Sequence, residues 1–184
     1  MISRIIALVL IALLSPLFII ISLLISIFDG FPIIYIQKNY GLNNKVFSLY
    51  KFRTMKKNTP ELPTEEFDNA DSYISKLGRI LRKFSFDELP QFFNILKGEM
   101  YFIGPRPCMV DNEEIIKEMR ERKGIHKIKP GITGLAQVNG RDSNSYDRKV
   151  ELDYEYMKNS NFIMDMKIVL KTFIVILFPK NIKH

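Results

Sequence analysis

The sequence has little of what most catalytic and metal-binding sites are made from. Its one cysteine, Cys108, excludes an internal disulfide and any multi-cysteine zinc or iron–sulfur centre. Only two histidines occur, His126 and His184, so no His-rich metal cage can form. A Ser-His-Asp triad would have to rest on His126. The P-loop and dinucleotide-binding fingerprints are both missing, which removes two large classes of nucleotide enzyme. Any chemistry falls to carboxylates, lysines and arginines.

Charge is also missing, from one end. Ile5–Phe28 is 24 residues long without a charged side chain. Residues 1–30 hold Arg4 and Asp29 alone, so the formal net charge of +7 belongs entirely to residues 31–184. The sequence predicts a greasy head over residues 1–30 joined to one basic domain over residues 31–184. As a helix, the uncharged run would measure roughly 36 Å, enough for a hydrocarbon core of about 30 Å. It is too long for a signal peptide and has no small-residue cleavage site.

Ser15-Pro16 falls at the middle of this run. Proline removes one backbone hydrogen bond and kinks a helix. A spanning helix with the basic body in the cytoplasm leaves Met1 and Arg4 outside. A helix turned back at Ser15-Pro16 keeps both ends inside, with Ser15 a candidate partner for the freed backbone groups. Kinked spanning helices are common too, and the residues alone leave both topologies open.

In the body, PIIYIQ and VFSLY flank a turn-like Asn39–Asn44 and predict two strands within Phe31–Phe52. Asn58–Asn69 is acidic, contains proline and has no period, so it reads as a surface loop. Ser72–Phe84 has helical spacing, with Asp71 or Ser72 as N-cap and Lys76, Arg79, Arg82 and Lys83 on the other face. Leu89–Leu96 is a second helix, with Pro90 in its first turn and Gly98 beyond its end. Asp111–Lys123 is a third, Gly131–Gly140 a glycine-punctuated loop. Glu151–Phe178 closes the chain, its second half apolar enough to lie against a membrane although Asp165, Lys167 and Lys171 interrupt it. The fold class is α/β, mostly helical with a few short strands.

Four stretches carry candidate chemistry. Asp87-Glu88 at a helix start can serve the helix dipole alone. With Arg79, Arg82 and Lys83 just ahead, Asp87 would also be held ionised, fit to accept a phosphoryl group or to ligate Mg²⁺. Gly104-Pro105-Arg106-Pro107 is either a stiff turn with an exposed Arg or a device that aims a guanidinium at phosphate. Lys51, Arg53, Lys56 and Lys57 read as a solvated strand end or a rim on anionic lipid. A nucleic-acid face is the weaker reading, since a membrane anchor already accounts for the modest basic excess. Lys129–Arg141 combines glycines with Gln137, Asn139 and Arg141. That suits a loop closing on a ligand and equally a glycine-rich hairpin.

Taken in order, these motifs resemble one family, the small monotopic bacterial phosphoglycosyl transferases (bacterial sugar transferase family). The resemblance covers nearly the whole chain. It runs from the Ser-Pro-broken head through YKFRTM at 50–55, LGRILRKFSFDELPQFFNILKGEM at 77–100, IGPRP at 103–107 and KPGITGLAQVNGR at 129–141. It ends on Asp153-Tyr154, Asn159-Ser160 and Asp165. No single motif is specific, but their order and spacing are.

The resemblance implies transfer of a sugar-1-phosphate from a UDP-sugar to polyprenol (undecaprenyl) phosphate, with Mg²⁺, at the cytoplasmic face of the bacterial inner membrane. It implies that Asp87 is the nucleophile, forms an aspartyl-phosphosugar and releases UMP, with Glu88 assisting the acceptor phosphate. Arg106 would bind phosphate, with Lys51 and Arg82 as supporting cations. Gln137, Asn139 and Arg141 fall where the family binds the nucleotide-sugar. Ser15-Pro16 matches its re-entrant helix-break-helix, and the chain reads as a minimal catalytic unit. Three positions depart from the common pattern: Leu135 for Trp, Glu99 for Asp and Tyr101 for Ser. The reading of a different class is a non-catalytic membrane-surface interaction module. Neither the sugar nor the oligomeric state is legible.

Overall fold

The computed structural model describes residues 1–57, 59, 70–110, 112–140 and 144–177. The expected loop at Asn58–Asn69 lies almost wholly outside them, as does Arg141. The described chain is mostly helical, with four short strands in two two-stranded sheets. It divides into two compact units. The first joins Met1–Gln37 to Leu49–Leu96. The second joins Lys38–Ser48 to the chain from Lys97 onward.

The first unit opens with α1 (Ile2–Leu13) and α2 (Ser15–Phe28), bent by 62° at the Ser15-Pro16 break. Among the described residues no single helix is long and apolar enough to cross a membrane; this bent pair passes only when taken together. Pro16 has no N–H for the Ala12 carbonyl, and the Ser15 hydroxyl donates to that carbonyl instead at 2.8 Å. Ser22 and Ser26 are satisfied the same way, on Phe18 O and Leu23 O. Much of the head's apolar surface stays exposed, Leu13 at 70% and Ile27 at 71% among it. One side of α2 is different. Ile21 and Ile25 are buried with Phe52 and Leu81, flanked by Leu17, Phe18 and Leu77.

Two paired strands follow, β1 (Ile34–Tyr40) and β2 (Val46–Phe52), as the sequence predicts. Asn43 and Asn44 take positive φ in the turn between them, a conformation asparagine tolerates. The helix expected over Ser72–Phe84 is two pieces, α3 (Ala70–Tyr73) and α4 (Lys76–Lys83). Ile74 forms an antiparallel bridge with Met55, and Ser75 N–H donates to Thr54 O, so the chain is extended where a helix was expected. The N-cap is therefore Ser75, whose hydroxyl accepts from Gly78 N–H at 2.8 Å, and not Asp71 or Ser72. A 3₁₀ turn, Phe86–Glu88, leads to α5 (Gln91–Lys97), close to the expected second helix.

In the second unit, β3 (Tyr101–Ile103) pairs in parallel with β4 (Gly131–Thr133), in register Tyr101↔Gly131 and Ile103↔Thr133. Between them runs α6 (Glu114–Arg122), shorter than the expected Asp111–Lys123. Gly131–Gly140 is thus a strand followed by the single turn α7 (Leu135–Val138), neither a loop nor a hairpin. The closing segment is two helices, α8 (Tyr146–Asn159) and α9 (Phe162–Leu177). The core gathers Cys108, Ile116, Ile125 and Val150, with Tyr40, Met119 and Met157 against them.

Candidate active site

Asp87 and Glu88 are both half-buried on the turn Phe86–Glu88. Ser85, immediately before it, sits at φ 55° and ψ 24°. A non-glycine residue in this left-handed region costs on the order of 1–2 kcal/mol, and the neighbours must hold it there. They do so from both sides. Ser85 N–H donates to Arg82 O at 3.1 Å, and Glu88 N–H donates back to Ser85 O at 3.2 Å. The left-handed residue separates α4 from the turn that carries Asp87. Sequence reading missed Ser85 because nothing marks a serine as left-handed without its backbone geometry.

The platform behind this turn is α4 pressed against Thr54. A Cβ on Gly78 would lie 2.1 Å from Thr54 O, so glycine is required for the approach. Arg82 Nε donates to Thr54 Oγ1 at 2.9 Å, which fixes the base of a guanidinium five residues ahead of Asp87. Lys76, Arg79 and Lys83 are exposed on α4, while Lys51 is half-buried on β2. The first unit therefore holds Asp87, Glu88, Lys51 and Arg82.

Arg53 departs from the expected solvated strand end. It is 7% exposed, and its Nη2 donates to the carbonyls of Asp29 and Gly30 at the end of α2, at 2.6 and 2.5 Å. Ser75, the cap of α4, also donates to the Asp29 carboxylate at 2.8 Å. The apolar head is thus tied to the strand and helix that lead to Asp87. A cation at a helix C-terminus complements the unpaired carbonyls there.

Arg106, Gln137 and Asn139 belong to the second unit. The Arg106 side chain is exposed on Gly104–Cys108, an irregular segment held at every carbonyl from Pro105 to Cys108. Gly131 N–H donates to Pro105 O, Arg120 Nη1 to Arg106 O, Asn39 Nδ2 to Pro107 O and Tyr40 N–H to Cys108 O. Arg120 is 8% exposed and also grips the Asp153 carboxylate through Nε and Nη2, at 3.0 and 2.6 Å. Burial pushes the Asp153 carboxyl upward, and the Arg120 guanidinium opposes that push. Burial likewise raises the Cys108 thiol to about 11, so sulfur stays protonated and accepts from Arg120 Nη1 at 2.7 Å. A recess lined by Arg106, Arg120 and His126 has room for water.

Two glycines of this unit are required by close backbone approaches within the protein. A Cβ on Gly131 or Gly134 would meet Gly104 backbone atoms at 2.1 Å. They close β4 and α7 onto the Arg106 segment rather than onto a ligand. Among the described residues both amide atoms of Gln137 are buried without a partner, which costs about 1–3 kcal/mol where nothing takes them up. Asn139 is engaged within the chain, donating to Leu135 O and accepting from Lys171 Nζ.

Along α9, Phe162, Ile163, Met166, Leu170, Phe173 and Leu177 are all exposed and recur at helical spacing. Lys171 and Asp165 lie off that stripe, Asp165 accepting from the Tyr156 hydroxyl at 3.0 Å. Burial and this bond push the Tyr156 hydroxyl well above its ordinary range.

Comparison with known proteins places the chain in a family. The family model for bacterial sugar transferases matches residues 1–179. The chain is 40% identical to the sugar transferase EpsL of Bacillus subtilis (strain 168) over 161 residues, covering 84% of this chain and 75% of that protein. It is 37% identical to the UDP-N-acetylgalactosamine-undecaprenyl-phosphate N-acetylgalactosaminephosphotransferase of Aeromonas hydrophila, over 93% of this chain and 41% of that one. It is 36% identical to the UDP-glucose:undecaprenyl-phosphate glucose-1-phosphate transferase of Escherichia coli (strain K12), over 91% of this chain and 38% of that one. With a match running from the apolar head through α9, the chain belongs to the bacterial sugar transferase family.

Proposed function

We propose that this chain transfers a sugar-1-phosphate from a UDP-sugar to polyprenol phosphate, releasing UMP, as the first membrane step of glycan assembly. The observation that carries the reading is Asp87-Glu88 on a strained, half-buried turn, in one unit with a basic helix and an apolar head bent by 62°. Two relatives named for undecaprenyl-phosphate sugar phosphotransfer support the reaction class.

In the first step an Asp87 carboxylate oxygen attacks the phosphorus that bears the sugar. The bond from that phosphorus to the bridging oxygen breaks, and UMP leaves with the electron pair. In the second, an acceptor phosphate oxygen attacks the same phosphorus and the Asp87 carboxylate departs unchanged. Glu88 takes up a proton from the acceptor when that phosphate arrives protonated. Phosphoryl transfer needs chiefly positioning and neutralisation of charge. Lys51 and Arg82 supply cations in the same unit as Asp87, and Arg106 is assigned to a phosphate of the donor. The chemistry demands neither histidine nor a second cysteine.

Mg²⁺, when bound, would neutralise the pyrophosphate. Adjacent carboxylates suit a hard cation, and Asp87 with Glu88 would share it with substrate oxygens, since no group of three acidic, His or Cys side chains gathers among the described residues.

The acceptor is a lipid and the donor is soluble, which sets the reaction at the membrane surface. We place α1 and α2 as a re-entrant head with both ends on the cytoplasmic side, and the apolar stripe of α9 along the interface. Phospholipid, a UDP-sugar and polyprenol phosphate are the partners of this reading, and nucleic acid is not. Asp87→Asn should abolish UMP release, by about 10³-fold or more, and remove any sugar phosphate trapped on the protein. Full turnover by that variant would overturn the covalent route. Unchanged lipid binding with no turnover by the wild type on a panel of UDP-sugars would leave a membrane-surface module.

A further inference from the structure

We propose that Arg120, clamped by Asp153, is a positioning residue that sets where the Arg106 guanidinium meets phosphate, with Asn39 as its counterpart on β1; this rests on the reading of Arg106 as a phosphate ligand.

The geometry of the segment carries the inference. Gly104–Cys108 has no regular structure, and its two prolines contribute no N–H donors. Its shape is therefore set from outside, by donors that reach its carbonyls. Two of those donors are main-chain groups of β4 and β1, Gly131 N–H at 2.9 Å and Tyr40 N–H at 2.8 Å. The remaining two are buried side chains on either side of the Arg106–Pro107 peptide. Arg120 holds Arg106 O at 2.7 Å, and Asn39, 1% exposed, holds Pro107 O at 3.1 Å.

Arg120 can do this only because its fork is already oriented. Nε and Nη2 are both on Asp153 Oδ2, and Nη1 is left pointing at Arg106 O and Cys108 Sγ. A bidentate guanidinium has one plane and one direction. Lysine cannot reproduce it: one ammonium at that place can meet Asp153 or Arg106 O, without fixing the plane of the peptide between the prolines. A stability role alone would need the ion pair but not the third contact. A buried ion pair is also a weak stabiliser compared with apolar packing, so stability explains its presence poorly. The direction of that third contact, onto the carbonyl of the residue whose side chain is exposed, is what points to the site.

The test is a double-mutant cycle on the full chain in nanodiscs, with UDP as the probe and its dissociation constant as the readout. Arg106→Ala should weaken UDP binding. Arg120→Lys should weaken it by roughly tenfold or more in the wild-type background, and by nothing further once Arg106 is Ala. Asn39→Ser, which shortens the side chain and removes the amide donor to Pro107 O, should behave the same way and carries the test if Arg120→Lys does not fold. Equal losses in both backgrounds would show a general structural effect and overturn the positioning role. Wild-type UDP affinity in Arg120→Lys and in Asn39→Ser would overturn it too. Wild-type affinity in Arg106→Ala would instead overturn the phosphate reading beneath it.

Discussion

Asp87 and Arg106 are presented by opposite means. Asp87 stands on a helical turn made from consecutive residues, with Ser75 capping α4, Arg82 O holding Ser85, and Ser85 reversing the chain. The platform behind it is tied further along the sequence, by the Gly78–Thr54 approach, the Arg82–Thr54 bond, the Ile74–Met55 bridge and the Ser75–Asp29 bond. Arg106 stands on a segment with no structure of its own, pinned by residues 39, 40, 120 and 131. A side chain can thus be fixed by local backbone strain or by satisfying an irregular backbone from a distance. The first device is sensitive to φ and ψ at one residue; the second, to the packing of several elements at once.

The largest expected effect removes the close approaches on which each device depends. Gly78→Ala and Gly131→Ala both place a methyl at 2.1 Å from backbone atoms, which no rotamer can relieve. Each should destabilise by about 3 kcal/mol or more, read by denaturant unfolding in detergent. Gly78→Ala should disturb the dyad, and Gly131→Ala the Arg106 segment. Next comes the strained residue itself. Ser85→Val puts a β-branched side chain at φ 55° and should destabilise by about 2 kcal/mol, whereas Ser85→Gly should be neutral or stabilising by up to about 1 kcal/mol. If both behave alike, backbone strain is not what orients Asp87.

A gentler change tests the head. Pro16→Leu restores the N–H that Ala12 O lacks and should straighten the 62° bend. With a cysteine at position 2, a membrane-impermeant thiol reagent outside the cell should label that variant and not the Pro16 chain. The smallest effect concerns the second region. The Cys108 thiol, raised to about 11 by burial, should alkylate at pH 8 on the order of 10²-fold more slowly than an exposed thiol, and normally after unfolding. Fast native-state labelling would mean that the Arg106 segment opens.

Much of this was legible in residue order. The broken head, the strand pair and α5 follow from periodicity and from where proline and asparagine fall. Other features were not. Arg53 reads as one more surface cation in KFRTMKK, yet it is buried on the end of α2, because its partners are backbone carbonyls more than 20 residues away. The N-cap of α4 is Ser75 and not the expected Asp71 or Ser72, because pairing of Ile74 with Met55 outweighed helix propensity over one turn. Gly131 and Gly134 of Lys129–Arg141 looked made for a ligand and instead admit the chain's own backbone. Glycine composition signals close approach but not what approaches.

By itself the sequence determined the family, the apolar break at Ser15-Pro16 and the identity of the carboxylates and cations, since these depend on residue type and spacing along the chain. Only the tertiary structure decided that Ser85 is left-handed, that Arg53 ties the head to β2, and that Arg120 and Asn39 hold the Arg106 segment. Those are long-range or conformational facts. A donor and the carbonyl it satisfies can be 68 residues apart, as Asn39 and Pro107 are, and no local pattern records such a pairing.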